Sequence, residues 1–346
     1  MKAVRMIEAG KPLELQEIPI PSIGETDILV RVRAAGICHS DAHYRAGRSS
    51  MGMLPITLGH EVAGEVEWVG SQVTTVKAGE RVALHYNISC GNCHYCITGN
   101  EQFCTTVKML GHHVDGGYAE YIAVPARNAV PLPQEIPFAE AATLMCASAT
   151  ALHALHKGRL KAGETVAVFG VGGLGLSAIQ LAKAMGAVEV YAVDIQQDKL
   201  ELASEYNAIP IHAGRNDAVE EIRRLTKGRG VDVALEMIGL QQTMRQTVES
   251  LGVMGRAVIV GISQIPLEVN PYSTLINYEA EIIGSNDHLL RELPMLVDMV
   301  RNKTLDTSRV VSQVIPLDAD KINQRLDDLE DYTSDVRVVI VPSQVI

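Results

Sequence analysis

Short segments in which apolar and polar residues alternate dominate the first 147 residues of the chain. The clearest are residues 28–34, 62–69 and 118–124. Proline and glycine interrupt the pattern, and turns are predicted at residues 19–24 and 77–80. Because a period of two residues is typical of strands with one buried face, this region is predicted to be mainly β.

The pattern changes at Lys161, beyond which strand-like segments alternate with amphipathic helical ones. Strands are predicted at residues 165–170, 189–193, 209–212, 231–235, 256–261 and 281–284, and helices at residues 175–185 and 197–206. Repeated strand–helix units are typical of a parallel sheet covered by helices on both faces. After Gly284 the pattern is less regular, and it predicts a helix at residues 289–301 and a terminal strand at residues 336–341.

The composition narrows the class of protein. A chain of 346 residues is long enough for two domains. Hydrophobic residues make up 47% and charged residues 21%, as in a soluble globular protein. The 30 basic and 41 acidic residues give a net charge of −11, and without a basic patch this charge argues against nucleic acid as a partner.

Targeting and membrane segments are not expected in this sequence. The first ten residues contain Glu8 and lack the apolar core of a secretory signal. The longest apolar run, Ala139–Leu155, is interrupted by Glu140 and His153 and is shorter than the roughly 20 residues that span a bilayer. We therefore expect a buried helix there, no membrane partner, and a cytoplasmic location in which clustered cysteines bind metal before they form disulfides.

A glycine-rich turn follows the first predicted strand of the second region. It contains Gly170, Gly172, Gly173, Leu174 and Gly175. Such a turn lets backbone N–H groups approach a pyrophosphate at the positive end of a helix. The next strand ends at Asp194, whose carboxylate can bind both ribose hydroxyls and would repel a 2′-phosphate, so NAD is favoured over NADP. The alternative is a tight turn that binds no nucleotide, with Asp194 only capping a helix.

Four of the six cysteines lie close together, at Cys90, Cys93, Cys96 and Cys104. Four thiolates can complete the tetrahedral shell of a structural zinc and leave no position for a substrate. Free or disulfide-bonded cysteines are one alternative, which a reducing compartment disfavours. A nucleic-acid-binding zinc module is another, although only His94 and Lys108 supply basic side chains nearby.

The other two cysteines, Cys38 and Cys146, are far apart and need a third partner to hold a metal. Cys38 begins the segment CHSDAH, and His60 follows between Gly59 and Glu61. A zinc with three protein ligands and one open position is the catalytic form. Hydride abstraction from an alcohol needs such a Lewis acid, a route for the proton and a nicotinamide. His60 alone is more often a surface or core residue, so the surrounding motif carries this interpretation.

These motifs follow one another in a fixed order along the chain: Cys38–His43, Gly59–Glu61, Cys90–Cys104, Cys146 and Gly170–Gly175. In this order they resemble the zinc-dependent alcohol dehydrogenases of the medium-chain dehydrogenase/reductase superfamily over essentially the whole chain. The resemblance implies an α/β protein with a GroES-like β-rich catalytic domain at residues 1–147, completed by residues 285–346. A Rossmann domain with a doubly wound parallel sheet would occupy residues 148–284, with the active site in the cleft between the domains.

The resemblance also assigns roles around a catalytic zinc. The predicted ligands are Cys38, His60 and Cys146, and Glu61 is an acidic neighbour able to approach the metal. Asp41 would orient His60 by fixing its tautomer. Ser40 would accept the hydroxyl proton of the substrate and pass it through the nicotinamide ribose to His43, while the hydride moves to NAD⁺.

Further residues are implied around the cofactor and the substrate. Beyond the glycine-rich turn, the predicted cofactor contacts are His39 at the pyrophosphate, Thr150 and Leu174 at the nicotinamide, Lys199 at the adenosine ribose, and Val260, Ile262 and Arg337. For Arg337, a solvated residue ahead of an edge strand is an equally good interpretation. Tyr86 falls where the family places a substrate-pocket aromatic, and an ordinary core tyrosine is the equal alternative.

The implied activity is the reversible oxidation of a primary or secondary alcohol to an aldehyde or ketone, with NAD and two zinc ions per chain. A polyol, sugar or amino-alcohol dehydrogenase is the alternative, but polyol members typically lack a cysteine at the third ligand position, so Cys146 favours simple alcohols. A zinc-free quinone-reductase-like member or a catalytically silent nucleotide-binding protein would not need both cysteine sets or the pair Ser40 and His43. Family members of this length are often tetramers, so a homo-oligomer is expected, with a tetramer favoured over a dimer.

Overall fold

The structure is a computed structural model that describes residues 1–331 and 336–342. It divides into two compact units, one formed by Met1–Cys146 with Leu289–Ile346 and the other by Ala147–His288. These limits lie within a few residues of the predicted domain limits.

Strands form most of the regular structure of the first unit up to residue 146. In chain order they are β1 (Lys2–Met6), β2 (Glu14–Glu17), β3 (Asp27–Ile37), β4 (Ile56–Thr57), β5 (Glu61–Val69), β6 (Arg81–Leu84), β7 (Asn87–Ile88), β8 (Lys108–Met109), β9 (Tyr121–Pro125) and β10 (Ala129–Pro131). Between them lie α1 (His39–Arg45), α2 (His94–Ile97), α3 (Phe138–Thr143) and 3₁₀ turns at Glu101–Phe103 and Ala126–Asn128. The three strands predicted from alternation are confirmed as β3, β5 and β9. β9 begins later than predicted because residues 116–118 hydrogen-bond to residues 57–59 instead.

The second unit confirms the predicted alternation of strands and helices. Its elements are α4 (Ala149–Lys157), β11 (Thr165–Phe169), α5 (Gly173–Ala184), β12 (Glu189–Asp194), α6 (Gln197–Glu205), β13 (Ile209–His212), α7 (Ala218–Leu225), β14 (Val231–Glu236), α8 (Gln241–Glu249), β15 (Leu251–Ile259) and β16 (Glu281–Gly284). A π turn at Pro271–Leu275 and a 3₁₀ turn at Ile276–Tyr278 precede β16. The six strands pair in parallel in the order β13-β12-β11-β14-β15-β16, which is the Rossmann order. α7 and α8 were not predicted.

The chain then returns to the first unit. A 3₁₀ turn at Leu290–Glu292 leads into α9 (Leu293–Arg301), followed by β17 (Gln313–Pro316), α10 (Ala319–Glu330) and β18 (Val338–Val341). β18 and β17 extend the sheet of the first unit, whose order is β10-β6-β5-β3-β18-β17 with β9 also paired to β3. The predicted helix at residues 289–301 and the terminal strand are confirmed, whereas α10 was not predicted.

The register of this sheet determines what meets at one of its ends. The antiparallel pairs are Gly36 with Glu61 and Ile37 with Val338. Because β3 is antiparallel to both β5 and β18, the residues next to these pairs, Cys38, His60 and Arg337, come to the same end of the sheet. Strand pairing therefore joins segments that are far apart in the sequence.

The longest apolar run forms a buried helical segment, as predicted. Phe138–Lys157 is long and apolar enough to cross a membrane, but 83% of its most apolar window is buried inside the protein. The segment consists of α3, a π turn at Leu144–Ser148 and α4. Its apolar character is therefore explained by packing in the core.

Candidate metal centres and cofactor loop

One buried cluster unites the four residues that were predicted around a catalytic zinc. One ligand atom from each of Cys38, His60, Glu61 and Cys146 lies within 4.8 Å of all the others. The two sulfurs are 3.9 Å apart. None of the four residues is more than 7% exposed. The fold therefore gathers two thiols, an imidazole and a carboxylate into one buried site.

Local backbone structure places the two cysteines. Cys38 is the N-cap residue of α1, and its backbone N–H donates to Asp41 Oδ2 at 2.9 Å. Cys146 lies in the π turn between α3 and α4. Single π turns within helices are rare, and those that occur often lie at functional sites. The thiol–thiol contact with Cys146 is the largest of the influences that lower the pKa of Cys38 well below its usual value.

Asp41 connects α1 to His60. Its Oδ1 lies 3.4 Å from His60 Nδ1, and both side chains are buried. Burial opposes the charged imidazole, but the neighbouring Asp41 and Cys38 together outweigh it and hold the pKa of His60 well above its usual value. The predicted neighbourhood of Asp41 and His60 is therefore present in the structure.

Arg337 faces the buried carboxylate of Glu61. Its Nη2 lies 3.0 Å from Glu61 Oε1, and its Nη1 donates to the carbonyl oxygen of Ile37 at 3.1 Å. Burial raises the pKa of Glu61 to about 7, against the opposing charge of Arg337. The sequence indicated neither this pair nor the burial of Arg337, which is 5% exposed. The alternative of a solvated residue is wrong, and the predicted contact of Arg337 with a cofactor phosphate stays a prediction.

The residues predicted for the proton path lie on α1, in its first and second turns. Ser40 Oγ is 3.7 Å from Cys38 Sγ. His43 Nδ1 is 3.0 Å from Arg48 Nη1, and its ring centroid is 4.6 Å from that of His39. Burial lowers the pKa of His43, and the positive charge of Arg48 lowers it further. The contact with Arg48 had no sequence signal, since it depends on how the chain turns after α1.

Tyr86 lies beside the cluster rather than at an open surface. Its ring is 2% exposed and meets the His60 ring edge-on at a centroid distance of 5.2 Å. It also belongs to the hydrophobic core of the first unit. The core alternative thus describes its position, and contact with a substrate stays a prediction.

The second cluster contains the four closely spaced cysteines, whose sulfurs also lie within 4.8 Å of one another. Backbone N–H groups point at these sulfurs: that of Cys90 at Cys104, that of Gly91 at Cys96 and that of Cys93 at Cys90, over 3.2–3.3 Å. The backbone N–H of Cys96 is the largest influence lowering the pKa of Cys93 to about 6. All six cysteines of the chain are described, and none forms a disulfide. Burial raises the pKa of Cys96 to about 11, so the feature of this loop that suits thiolates is the set of N–H groups directed at three of its sulfurs.

The glycine-rich turn joins β11 to α5. Gly170 has a φ of +94°, which favours glycine, and a Cβ on Gly175 would lie 1.8 Å from the carbonyl oxygen of Gly170. Nothing lies within 4 Å of the Cβ position of Gly172, the N-cap residue of α5. The turn thus has the open backbone and the helix N-terminus that a pyrophosphate needs.

Asp194 closes this turn from the end of β12. Its Oδ2 accepts the N–H of Val171 at 2.7 Å, and its Oδ1 accepts the N–H groups of Ile195 and Gln196. The carboxylate therefore braces the glycine-rich turn and its own loop rather than only capping a helix. Its contact with a ribose stays a prediction.

The remaining predicted cofactor residues of the second unit lie on several elements. Thr150 is buried in α4, Leu174 and Lys199 are half-buried in α5 and α6, Val260 is half-buried after β15, and Ile262 is 68% exposed. Their contacts with a cofactor stay predictions.

Comparison with known proteins adds independent information. A model of the alcohol dehydrogenase GroES-like domain matches residues 24–134, and a model of the zinc-binding dehydrogenase family matches residues 173–301. An NAD-dependent alcohol dehydrogenase of Sulfurisphaera tokodaii is 35% identical over 355 aligned positions, which cover 99% of this chain and all of the relative. An L-threonine 3-dehydrogenase of Symbiobacterium thermophilum is 39% identical over 277 positions, covering 78% of each chain. The crystal structure of an alcohol dehydrogenase from Aeropyrum pernix matches 99% of this chain and all of its own, with a TM-score of 0.90 and 36% identity.

Proposed function

Because the chain belongs to the zinc-dependent alcohol dehydrogenases of the medium-chain dehydrogenase/reductase superfamily, we propose that it oxidises primary or secondary alcohols reversibly, with NAD⁺ as hydride acceptor. Two zinc ions per chain belong to this proposal. The observation that carries it is the buried convergence of Cys38, His60 and Cys146 from three distant segments. Burying two thiols and an imidazole together does not stabilise a protein core by itself, because buried polar groups cost free energy unless they form hydrogen bonds or bind a metal.

The chemistry of the cluster fits zinc. Thiolate sulfur and imidazole nitrogen are its usual ligands, and three of them leave one position for a substrate oxygen. Oε2 of Glu61 is buried with neither a hydrogen bond nor an ion pair to a described residue, so the site has a buried acceptor to which a metal ion could bind. Zinc bound there would supply a Lewis acid that lowers the pKa of an alcohol hydroxyl.

The protein side chains then orient and carry protons. Asp41 faces His60 Nδ1, so Nε2 is the ring nitrogen left to bind a metal. Ser40, half-buried beside Cys38, takes the hydroxyl proton in this proposal. His43, three residues further along the same helix face, would receive the proton next and release it to solvent.

The substrate class is proposed from the ligand set. The similarity to an L-threonine 3-dehydrogenase supports an amino-alcohol or polyol dehydrogenase as the second candidate. Cys146, with its sulfur 3.9 Å from that of Cys38, favours simple alcohols because polyol members typically lack a cysteine at this position.

The cofactor proposal has its own test at Asp194. In NAD-binding Rossmann folds a carboxylate at this position binds the ribose hydroxyls and excludes a 2′-phosphate. Asp194→Gly should therefore raise the KM for NAD⁺ far more than that for NADP⁺. Equal changes in both constants would show that Asp194 serves only to brace the turn.

The activity is tested by counting zinc per chain and following NADH absorbance with primary, secondary and polyhydric alcohols and with L-threonine. Two zinc ions and turnover of simple alcohols are expected. Two zinc ions without turnover of any substrate would contradict the proposal that the protein is an enzyme. Turnover confined to polyols or threonine would contradict simple alcohols as the substrate class. We also propose a cytoplasmic homotetramer from the family resemblance, and light scattering during size-exclusion chromatography measures its mass.

A further inference from the structure

Tyr118 is a buried tyrosine beside Asp41, the carboxylate that faces His60. It lies in the loop between β8 and β9 and is 0% exposed. Its hydroxyl donates to Asp41 Oδ2 at 2.8 Å, across 77 positions of sequence. A buried tyrosine hydroxyl needs a partner, and here the partner is the carboxylate that faces His60.

The hydroxyl completes the restraint of Asp41. Oδ2 accepts two hydrogen bonds, from the N–H of Cys38 at 2.9 Å and from Tyr118, while Oδ1 faces His60 Nδ1 at 3.4 Å. Two donors on one oxygen fix the rotation of the carboxylate and leave the other oxygen directed at the imidazole. Hydrogen bonds to an ionised carboxylate are roughly twice as strong as neutral ones, so this restraint is substantial.

Tyr118 also contacts the chain that leads into His60. A Cβ on Gly59 would lie 2.4 Å from the Tyr118 ring, and Gly59 has a φ of +93°, so only glycine fits under the ring without strain. The N–H of Tyr118 donates to the carbonyl oxygen of Leu58 at 3.0 Å. The tyrosine therefore braces both the backbone before His60 and the carboxylate beside it.

We propose that Tyr118 is a positioning residue for the catalytic zinc, whose hydroxyl holds Asp41 so that His60 presents Nε2 to the metal in one orientation. The inference rests on the proposed function, in which Cys38, His60 and Cys146 bind zinc. The ordinary alternative is that the hydroxyl only satisfies its own burial and has no influence on the metal.

Tyr118→Phe tests this, because it keeps the ring on Gly59 and removes only the hydroxyl. Loss of a group that orients a ligand typically costs 10–100-fold in metal affinity, and we expect about 10-fold weaker zinc binding at this site in competition with a chelator. The zinc of the four-cysteine cluster should keep its affinity and is an internal control for folding. Tyr191→Phe is the matched control, since this buried tyrosine donates to Glu189 in the other unit.

Two measurements distinguish a hydroxyl that orients His60 through Asp41 from one that only satisfies its own burial. With Co²⁺ in the site, the sulfur-to-metal charge-transfer bands should change in Tyr118→Phe and stay unchanged in Tyr191→Phe. In an Asp41→Asn background, Tyr118→Phe should cost less than about threefold in zinc affinity, because the charged partner is gone. A full effect in that background, or unchanged affinity and spectrum in the single variant, would overturn the inference. A wild-type protein that holds one zinc would instead overturn the proposed function on which the inference rests.

Discussion

The two cysteine clusters of the first unit hold similar ligands in opposite ways. The cluster of Cys90 to Cys104 comes from one short loop, and three of its sulfurs accept backbone N–H groups. The cluster of Cys38, His60 and Cys146 comes from distant segments and is surrounded by the buried side chains of Asp41 and Arg337. Local backbone geometry shapes the first cluster, and long-range packing shapes the second.

Under the proposed function, this difference would fit one cluster to a structural zinc and the other to a catalytic zinc. Four thiolates close a zinc site, and backbone amides neutralise part of their charge without requiring the rest of the fold. A site with three ligands keeps a position open only if its surroundings hold the ligands in place, which is the task of charged and hydrogen-bonding neighbours. Replacing one cysteine by serine is therefore expected to lower activity at the buried cluster and thermal stability at the four-cysteine cluster.

The largest effect is expected from Cys146→Ser. Loss of one of three ligands should remove the zinc at the buried cluster and lower kcat/KM by roughly 10³-fold or more, since a Lewis acid supplies several kcal/mol of stabilisation to the transition state. Zinc analysis should fall from two ions to one per chain, with little change in thermal stability. Retention of both ions with normal turnover would show that Cys146 is not a ligand and would reopen the polyol alternative.

Cys104→Ser should produce the reverse pattern. Removing the sulfur that accepts the Cys90 N–H opens the four-cysteine site, and its zinc should be lost. We expect the Tm to fall by about 5–10 °C while kcat per molecule of folded protein stays within about threefold. Calorimetry and assays well below the Tm measure the two quantities. A loss of kcat as large as that of Cys146→Ser would contradict the division of labour between the clusters.

Glu61→Gln should reveal how far the buried cluster depends on paired charges. Removing the carboxylate leaves the Arg337 guanidinium buried without its partner, which typically costs about 3 kcal/mol of unfolding free energy. The double variant with Arg337→Met should lose less than the sum of the single losses. The matched control is Glu65→Gln on the same strand β5, whose partner Arg33 lies on β3 in a partly exposed pair, which is worth under about 1 kcal/mol. Equal losses at the two positions would mean that the Glu61 pair contributes no more than a surface pair.

The same variants separate two roles of Arg337. If Arg337 also binds a cofactor phosphate, Arg337→Met should raise the KM for NAD⁺ while Glu61→Gln does not. A KM unchanged in both would leave the ion pair as the only role of the arginine.

The cluster of Cys90 to Cys104 could be predicted from residue type and spacing, whereas the meeting of Cys38, His60 and Cys146 was implied by the family resemblance. The glycine-rich turn and the strands β11 and β12 were also predictable, since their patterns are local. The orienting contacts could not be predicted. Arg337 meets Glu61 only because β3 pairs with β5 and β18 in one particular register. Tyr118 meets Asp41 because the loop before β9 hydrogen-bonds to the backbone of Leu58 and Gly59. No local pattern encodes a contact that depends on sheet register.

The π turn that carries Cys146 was unpredictable for a different reason. The sequence predicts a continuous buried helix there, and the apolar run from Phe138 to Lys157 has the composition of one. A single widened turn changes the direction of one side chain without changing the composition of the segment. Its position is therefore visible only in the fold.

The smallest predicted effect concerns the proton path, where Arg48 Nη1 lies 3.0 Å from His43 Nδ1. The groups around His43 are the His39 ring, the Arg48 guanidinium, the Cys38 thiol and, from α10, the Glu330 carboxylate. Burial lowers the pKa of His43, Arg48 lowers it further, and Cys38 and Glu330 oppose them. Alcohol oxidation needs a neutral His43 to accept the proton, so a lowered pKa keeps oxidation active at lower pH.

Arg48→Met removes one cause of that lowering, so the pKa of His43 should rise and the acid limb of the kcat profile should move to higher pH. Arg48→Lys keeps the positive charge and should leave the limb near its wild-type position. The measurement is kcat against pH at saturating NAD⁺ and alcohol in all three proteins. In the reverse direction His43 must donate a proton, so aldehyde reduction by Arg48→Met should persist to higher pH. An acid limb that stays in place in the methionine variant, or moves equally in both variants, would remove His43 from the proton path or Arg48 from its control.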